Sequence, residues 1–288
     1  MLFNPLNPSL LTRTGDIDDY PDNNGTGVRL NSPDNGAYGS YIEVIDGANV
    51  PHDCYGIYLN FNTIGTRASN PILVTIGIDP AGGTSYVDTI LDLSAAQASG
   101  YLYDIGGHNY YFPLFIPAGS SIAAKTAAGG TTSGYYISCV MELFGGPSCP
   151  EAHKVGQKVI SYGATVSTRM GITASLANST VGAWVELGTV GADENPFFWD
   201  LSVAITSGTL PQSSFIAELG IGDASDKTVV VQGKRVLTFT SEAVSAVNFA
   251  PMAQYYQAAP GDKVYGRLIG PTSGTWSGTF SLIAHGVQ

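Results

Sequence analysis

Short apolar runs separated by turn residues fill the chain from about Gly39 onward. Gly56–Phe61 (GIYLNF), Ile72–Ile76 (ILVTI) and Tyr135–Met141 (YYISCVM) are examples. They alternate in polarity or are enriched in β-branched and aromatic residues, which is typical of strands. Glycine pairs such as Gly82-Gly83 supply positions that accept positive φ between the runs. The pattern therefore predicts a chain built from β-strands.

The second half of the chain continues in the same way. Its pattern predicts seven strands, at Ser161–Arg169, Ala183–Val190, Phe197–Ile205, Phe215–Gly220, Val229–Thr240, Lys263–Ile269 and Gly278–Ala284. Strands of this length and number suit an antiparallel sandwich or jelly roll. Two short segments, Leu93–Ala98 and Ser241–Val244, could each form a helix or a loop.

Four stretches of the first half recur in the second half at a spacing of 142 or 143 residues. The pairs are Tyr41–Val44 with Trp184–Leu187, Ile76–Ile78 with Leu219–Ile221, the trio Gly119, Ile122 and Lys125 with the trio Gly261, Val264 and Arg267, and Ile137–Val140 with Phe280–Ile283. Four colinear matches require a shared strand order. The repeated unit is the size of a whole domain rather than of a solenoid repeat.

We therefore predict an all-β chain of two tandem antiparallel β-sandwich, jelly-roll-like domains that arose by internal duplication. Residues 1–38, rich in Asn, Asp, Pro and Gly, read as an extended N-terminal arm able to lie across a neighbouring subunit. The first sandwich is predicted at 39–146 and the second at 161–288. Two glycines and two prolines within 145–150 mark the boundary, and the linker is predicted at 147–160.

Composition narrows the function classes. The formal charge is −11 and only 12 basic residues are present, which argues against direct nucleic-acid binding because that affinity comes largely from clustered Lys and Arg. No apolar stretch is long enough to span a bilayer, so we expect no membrane insertion and synthesis in a cytoplasm. The three cysteines, Cys54, Cys139 and Cys149, are expected to be reduced, with Cys139 filling the core.

Motifs that carry chemistry are sparse. The sequence contains no nucleophile elbow, phosphate loop, dinucleotide fingerprint or zinc helix. The acidic stretch Asp16–Gly25 offers oxygen ligands for Ca²⁺ but lacks the EF-hand spacing, so a solvated arm is favoured. Glu43 and Glu186 recur between the halves and are predicted to face solvent. Each histidine is expected to lie at the surface or to be satisfied internally; the four are His52, His108, His153 and His285. We predict that the protein is not an enzyme and has no cofactor, no metal and no catalytic residue.

Aromatic clusters remain as candidate contact sites. Such rings either fill a sandwich core or, where exposed, contact glycans or partner subunits. The candidate residues for glycan or subunit contact are Tyr101, Tyr103, His108, Tyr110, Tyr111, Trp199, Tyr255 and Tyr256. Because adjacent residues of a strand point to opposite faces, one member of each Tyr-Tyr pair is expected at the surface.

The turn and strand Ile116–Lys125 (IPAGSSIAAK), with its diverged partner Ala259–Arg267, resembles a segment of tailed-bacteriophage virion proteins with jelly-roll domains. The resemblance implies a structural component of the virion, serving in capsid decoration or cement or in the neck or tail. Implied partners are further copies of the chain, as a trimer or higher ring, and other virion proteins. The alternatives are a host-glycan-binding adhesin module of the virion and, less favoured, a carbohydrate-active enzyme.

Overall fold

The computed structural model describes residues 10–13, 27–32, 37–63, 72–95, 108–128, 135–146, 154–164, 171–177, 181–209, 213–238, 255–270 and 277–288. Seventeen strands and one short 3₁₀ turn, Gly47–Asn49, make up the regular structure of these residues. The nearly all-β prediction is confirmed. The strands of the first half are β1 Leu10–Arg13, β2 Val28–Ser32, β3 Ile42–Ile45, β4 Cys54–Thr63, β5 Ile72–Asp79, β6 Val87–Ala95, β7 His108–Phe112, β8 Ser121–Ala128 and β9 Tyr135–Gly145.

The strands of the second half are β10 Val159–Tyr162, β11 Ile172–Ala177, β12 Val185–Thr189, β13 Phe198–Thr209, β14 Ser213–Gly222, β15 Lys227–Thr238, β16 Lys263–Ile269 and β17 Ser277–Val287. Six of the seven strands predicted for this half are present. The other, Ser161–Arg169, overlaps β10 only at Ser161 and Tyr162; Gly163 and Ala164 are not in a strand, and 165–169 lie outside the described residues. The sequence pattern missed β11, whose alternation of aliphatic residues with Thr, Ser and Ala is weak.

The strands of the two halves follow the same order apart from β7, which pairs with β4 and has no counterpart strand among the described residues of the second half. In the first half one sheet runs β3-β8-β5-β6, and in the second half the corresponding sheet runs β12-β16-β14-β15. The other sheet has β9 at its centre in the first half, with β1 and β2 on one side and β4 on the other. In the second half β17 takes that place, with β10 and β11 on one side and β13 on the other. Topology therefore repeats along with sequence.

Irregularities of the ladder repeat as well. The β5–β6 pairing shifts register between Val74 and Ile76, and the β14–β15 pairing does so between Ala217 and Leu219, which is 143 residues further on. A bulge bends its strand and increases the local twist. Both bulges occur at equivalent positions in their sheets, so the two sheets bend and twist at the same place.

The turn before β8 also has a counterpart before β16. Gly119 and Gly261 adopt positive φ, +82° and +91°, which glycine accepts without the strain that a Cβ would bring. The Gly119 N–H donates to the Val50 carbonyl at 2.7 Å, and the Gly261 N–H donates to the Val190 carbonyl at 2.9 Å. The matched glycines thus close the same turn in each half.

Each half has its own hydrophobic core between its two sheets. Phe61, Ile76 and Met141 are buried in the first, and Phe215 and Phe280 in the second. Cys139 is a buried free thiol in the first core, as predicted. Large side chains in such cores each stabilise a domain by about 2–5 kcal/mol relative to alanine.

The first core also includes side chains from the second half of the chain, namely Val159, Phe197, Phe198 and Val287. At the same place β10 pairs in parallel with β6 through a Val159–Ile90 bridge. This bridge joins β3-β8-β5-β6 to the β10-β17 sheet, giving one sheet of eight strands. The second half therefore docks on the first along the edge strand β6.

The described part of the predicted linker takes part in this junction. Gly156 donates its N–H to the Pro113 carbonyl at 2.9 Å and accepts from the Phe115 N–H at 2.8 Å. The next two residues, Gln157 and Lys158, donate to the carbonyl of Gln288. Residues 156–158 are thus hydrogen-bonded to both halves.

Two expectations differ from the structure. The range predicted as an extended arm contains β1 and β2, which pair antiparallel with β9 because backbone groups at a strand edge are satisfied by pairing with another strand. The helix considered at Leu93–Ala98 is wrong over its described part. Leu93–Ala95 end strand β6, where Leu93 and Ala95 pack into the first core.

We expect Gly156→Ala to weaken the junction. A Cβ at this position would lie 2.4 Å from Val287 Cγ1 and 2.5 Å from the Gln288 carbonyl oxygen. Backbone on one side and a buried side chain on the other leave little room for relief, and overpacking of this kind costs about 1–3 kcal/mol. Calorimetric unfolding should show a lower melting temperature.

Gly119→Ala is a suitable comparison, because a Cβ there meets no atom within 4 Å and the substitution adds only backbone strain at positive φ. If Gly156→Ala unfolds at the temperature of the unaltered protein, the junction does not pack as described.

Candidate functional site

The aromatic candidates divide between the cores and the surface. Tyr110 and Trp199 are completely buried, one in each half. Tyr111 packs partly buried against the first core, and Tyr256 does the same against the second. Tyr255 is 49% exposed. Tyr111 is thus more accessible than Tyr110, and Tyr255 more accessible than Tyr256.

The remaining candidates cannot be placed as contacts. Tyr101 and Tyr103 lie outside the described residues, and of His108 only the backbone is described, at the start of β7. The acidic stretch Asp16–Gly25 also lies outside them.

The described ranges also contain no candidate metal site. Within them no group of three or more His, Cys, Asp or Glu is arranged to hold a metal ion. No helix in the described part of the chain is long and apolar enough to cross a membrane.

A buried polar relay crosses the junction between the halves, and it starts at Tyr110. The Tyr110 hydroxyl donates to the Ser94 carbonyl of β6 at 2.5 Å and lies 2.7 Å from Ser202 Oγ of β13. Burial raises the pKa of this phenol well above its ordinary value, so the hydroxyl keeps its proton. Tyr110 therefore connects a strand of the first half to one of the second.

His285 continues the relay. Its Nε2 lies 2.6 Å from Ser202 Oγ and its Nδ1 lies 2.9 Å from Ser161 Oγ. Ser161, in β10, donates in turn to the Leu91 carbonyl of β6. Both ring nitrogens of this buried histidine therefore have hydroxyl partners, which agrees with a histidine satisfied internally. A buried polar network of this kind favours one docking arrangement over others.

The matched sequence segments meet on the β3-β8-β5 face of the first half. The Tyr41 ring, just before β3, reaches across β8 and covers Gly77 of β5, so that a Cβ on Gly77 would lie 2.6 Å from the ring. Lys125 of β8 places its Nζ 4.7 Å from the centre of the same ring. Glycine in a strand permits such a close approach.

The second half repeats this arrangement with other side chains. Trp184 covers Gly220, whose added Cβ would lie 3.1 Å from the indole. Arg267 lies 4.3 Å from the centre of the Trp184 ring. Three of the four sequence matches are therefore explained by one repeated contact of aromatic ring, glycine and cation, which we call the ring–glycine–cation cluster.

Charges around the two clusters differ. In the first half Lys125 pairs with Asp88 at 2.7 Å, and Tyr41 also donates to Asp88. Tyr86 donates to Glu43 at 2.9 Å, and its ring lies 5.1 Å from that of Tyr41. The first cluster is therefore rich in tyrosine and carboxylate.

The second cluster is bound by ion pairs instead. Arg267 contacts Glu218 at 2.6 Å, and Lys263 contacts Glu186 at 2.7 Å. Glu186 and its counterpart Glu43 are both exposed, so their predicted outward position is confirmed. The carboxylates around both rings are already engaged by the protein's own side chains.

Two neighbouring aspartates of β6 respond differently to this environment. Burial opposes ionisation of Asp88, but hydrogen bonds from Lys125 and Tyr41 outweigh it and lower its pKa. For Asp92 burial dominates and raises the pKa, although Tyr38 donates a hydrogen bond to the carboxylate. Asp92 also adopts a positive φ of 52°, which costs free energy for most residues.

β15 is an edge strand of the second half. This strand has 12 residues and pairs with β14 on one side, and no strand of the described ranges pairs with its other side. Thr228 and Gln232 are exposed along it, whereas Val230 and Val231 are buried. An open edge presents unpaired backbone groups that can bind another strand.

The position of β15 in its sheet is that of β6 in the first half. Ile76 pairs with Ile90 in the first half, and its counterpart Leu219 pairs with Val231 in the second. Ile90 is the residue that bridges to β10. In the first half this edge strand, β6, is where the second half docks. In the second half the corresponding edge, that of β15, has no partner strand within the described ranges. We take the β15 edge as the candidate functional site.

Sequence reasoning did not find this edge or the relay. The hydroxyls Ser161 and Ser202 stand within apolar runs, and that is a signal for buried hydrogen-bonded groups. Which partner each would meet depends on how the halves dock, and no local pattern encodes that.

No known family pattern and no curated protein sequence matches the chain. Among solved structures, one of PNGF-II aligns with 90% of this chain and 65% of its own, at 7% identity and a TM-score of 0.35. The triple jelly roll of an archaeal virus turret aligns with 90% and 58%, at 13% identity and a TM-score of 0.19. The PBSX exported protein XepA aligns with 96% and 94%, at 10% identity and a TM-score of 0.20. This chain thus spans 65% of the length of PNGF-II, and at these TM-scores the likeness carries no argument about function.

We expect Tyr41 and Gly77 to be energetically coupled. Gly77→Ala alone forces the ring off the strand and away from Lys125 and Asp88, at a cost of about 1–2 kcal/mol. In a Tyr41→Ala background the same change has room, and alanine is favoured over glycine in a strand by about 0.5–1 kcal/mol. A double-mutant cycle from denaturant unfolding measures the coupling.

The matched control is Gly220→Ala with and without Trp184→Ala, for which the longer contact predicts a smaller coupling. Equal costs of Gly77→Ala in both Tyr41 backgrounds would show that the ring does not rest on the glycine.

Asp92→Asn should stabilise the protein at neutral pH. A carboxyl group whose pKa is raised in the fold contributes stability that is present below its unfolded pKa, about 3.9, and is lost as pH rises through the folded pKa. The amide avoids that loss, accepts the Tyr38 hydrogen bond and tolerates positive φ. Thermal unfolding should therefore show a higher melting temperature for the variant at pH 7 and no such gain at pH 3.

Asp88→Asn is the control of opposite sign, since the lowered pKa of Asp88 predicts a loss of stability at pH 7. A gain for Asp92→Asn that is equal at both pH values would rule out the ionisation of Asp92 as its cause.

Proposed function

We propose that the chain is a non-enzymatic structural component of a bacteriophage virion that acts by subunit assembly. The observation that carries the proposal is the 12-residue edge of β15, with which no strand of the described ranges pairs. Soluble proteins that act alone usually cover, shorten or charge such edges. A long edge strand that also contains buried valines suits a protein in which a strand of another subunit pairs with that edge.

The construction of the chain supports the same function. Its two halves are already an assembly of one sandwich on the edge of another, held by the Val159–Ile90 bridge and the buried relay. A duplicated unit that joins by edge contacts can extend the same contact between chains. The turns that contain Gly119 and Gly261 belong to the segments that resemble tailed-bacteriophage virion proteins. This resemblance supports a virion as the place of the assembly.

The glycan-binding alternative depends on the Tyr41–Tyr86 ring pair. These rings lie 5.1 Å apart and are partly exposed, beside the exposed acids Asp88 and Glu43. Sugar recognition needs polar groups that are available to the ligand. Here Lys125 and the tyrosine hydroxyls already hold both carboxylates, which favours a structural role for the cluster.

Light scattering of the purified chain over a range of concentrations tests the proposal. We expect an assembly with a mass several times the 30.0 kDa of one chain. A chain that stays monomeric up to concentrations of about 100 μM, well above typical affinities of specific subunit contacts, would contradict it. A monomer that retains glycans on an array would favour the adhesin alternative.

A further inference from the structure

The second half of the chain docks on the first through one strand. Its first strand, β10, lies between β17 of its own half and the edge strand β6 of the other half. Val159 makes the backbone bridge, and Ser161 donates its hydroxyl to the Leu91 carbonyl. An aliphatic residue and a hydroxyl two positions later therefore define the docking strand.

The first half has a strand at the equivalent position. β1 pairs with β9 as β10 pairs with β17, since Leu10 stands opposite Phe144 and Val159 opposite Val287. The sequence match places β9 and β17 143 residues apart, so that Phe144 corresponds to Val287. Leu10 thus corresponds to Val159 in register.

Two further positions agree with this equivalence. Thr12 stands opposite Glu142 and Ser161 opposite His285, so each first strand carries a hydroxyl at the same register position. Phe144, at the position of the buried Val287, is only partly buried. The first half therefore has Leu10, Thr12 and Phe144 at the register positions of the second half's Val159, Ser161 and Val287.

The edge complementary to β1 is that of β15. Within the described ranges β1 pairs only with β9 and β15 only with β14, so each has one open side. Inside one chain the equivalents of these two strands, β10 and β6, bind each other. We infer that β1 of one chain docks on the β15 edge of a second copy of the same chain, which repeats between chains the contact that joins the two halves. This inference rests on the proposed assembly function.

Such a contact is heterologous, because different surfaces of the two copies meet. Each chain has one β1 and one open β15 edge, so association continues head to tail until a ring closes. A ring formed in this way contains alternating contacts of the two kinds, within and between chains. The sandwich units would follow one another with nearly constant geometry.

Two full-length variants, one for each surface, test the inference. Gln232 follows Val231 at a register shift and has no partner in the β14 ladder. Gln232→Pro therefore puts a residue without an N–H into the edge strand and leaves the β14 pairs in place. Thr12→Asp puts a carboxylate at the register position of Ser161, whose hydroxyl donates to a carbonyl in the contact within the chain. The matched controls are Gln232→Ala and Thr12→Ser, which keep the N–H and the hydroxyl.

Each variant should be monomeric by light scattering at concentrations at which the unaltered protein and both controls assemble. An equimolar mixture of the two variants should form a species of twice the monomer mass and no larger. In that species β1 of the Gln232→Pro chain meets the intact β15 edge of the Thr12→Asp chain, and the remaining two surfaces are blocked.

The outcomes separate the inference from the proposal on which it rests. If the unaltered protein assembles and either variant assembles as well as it does, or if the folded variants do not combine on mixing, the head-to-tail contact is wrong while assembly stands. If the unaltered protein is monomeric, the assembly function itself fails. Circular dichroism checks the fold of each variant, and Gln232→Lys replaces the proline variant if that one unfolds, since a charge also blocks an edge.

Discussion

The backbone hydrogen bonds at sheet edges govern this structure. A sandwich of open sheets necessarily ends in strands with one unpaired side, and each such side must be hydrated, covered or paired. In the first half the edge strand β6 is covered by β10. That single contact makes the eight-stranded sheet continuous, brings four side chains of the second half into the first core, and places the histidine relay in a dry environment.

The repeated ring–glycine–cation cluster shows which features of a duplicated fold are retained. Neither the ring nor the cation is identical in the two halves, but glycine is present beneath the ring in both. Tyrosine and tryptophan both offer a flat surface, and lysine and arginine both bind over it. Glycine has no substitute at this position because any Cβ would meet the ring. The charges around the cluster, by contrast, differ between the halves.

Much of the fold could be predicted from the sequence, and the remainder required long-range geometry. Apolar runs such as Ile72–Ile76, which is buried along its whole length, predict strands because their enrichment in β-branched residues is a local property of the sequence. The recurrence of matched residues such as Gly77 and Gly220 at a nearly constant spacing predicts the duplication, because it can be read directly from the sequence. The pairing of β1 with β9 and of β10 with β6 was not predictable, since it joins segments far apart in the chain. For the candidate site, Tyr110 and Trp199 could be singled out as large aromatic residues, but their burial in the cores depends on which strand faces they occupy.

The connection from Gly145, at the end of β9, to Val159, at the start of β10, is short. A short tether holds the second half near the first at an effective concentration in the millimolar range, whereas other chains are far more dilute. During folding β10 therefore reaches β6 of its own chain before it meets that of another. Because the intrachain edge closes first, domain swapping is suppressed, and the β15 edge is left for slower, concentration-dependent encounters.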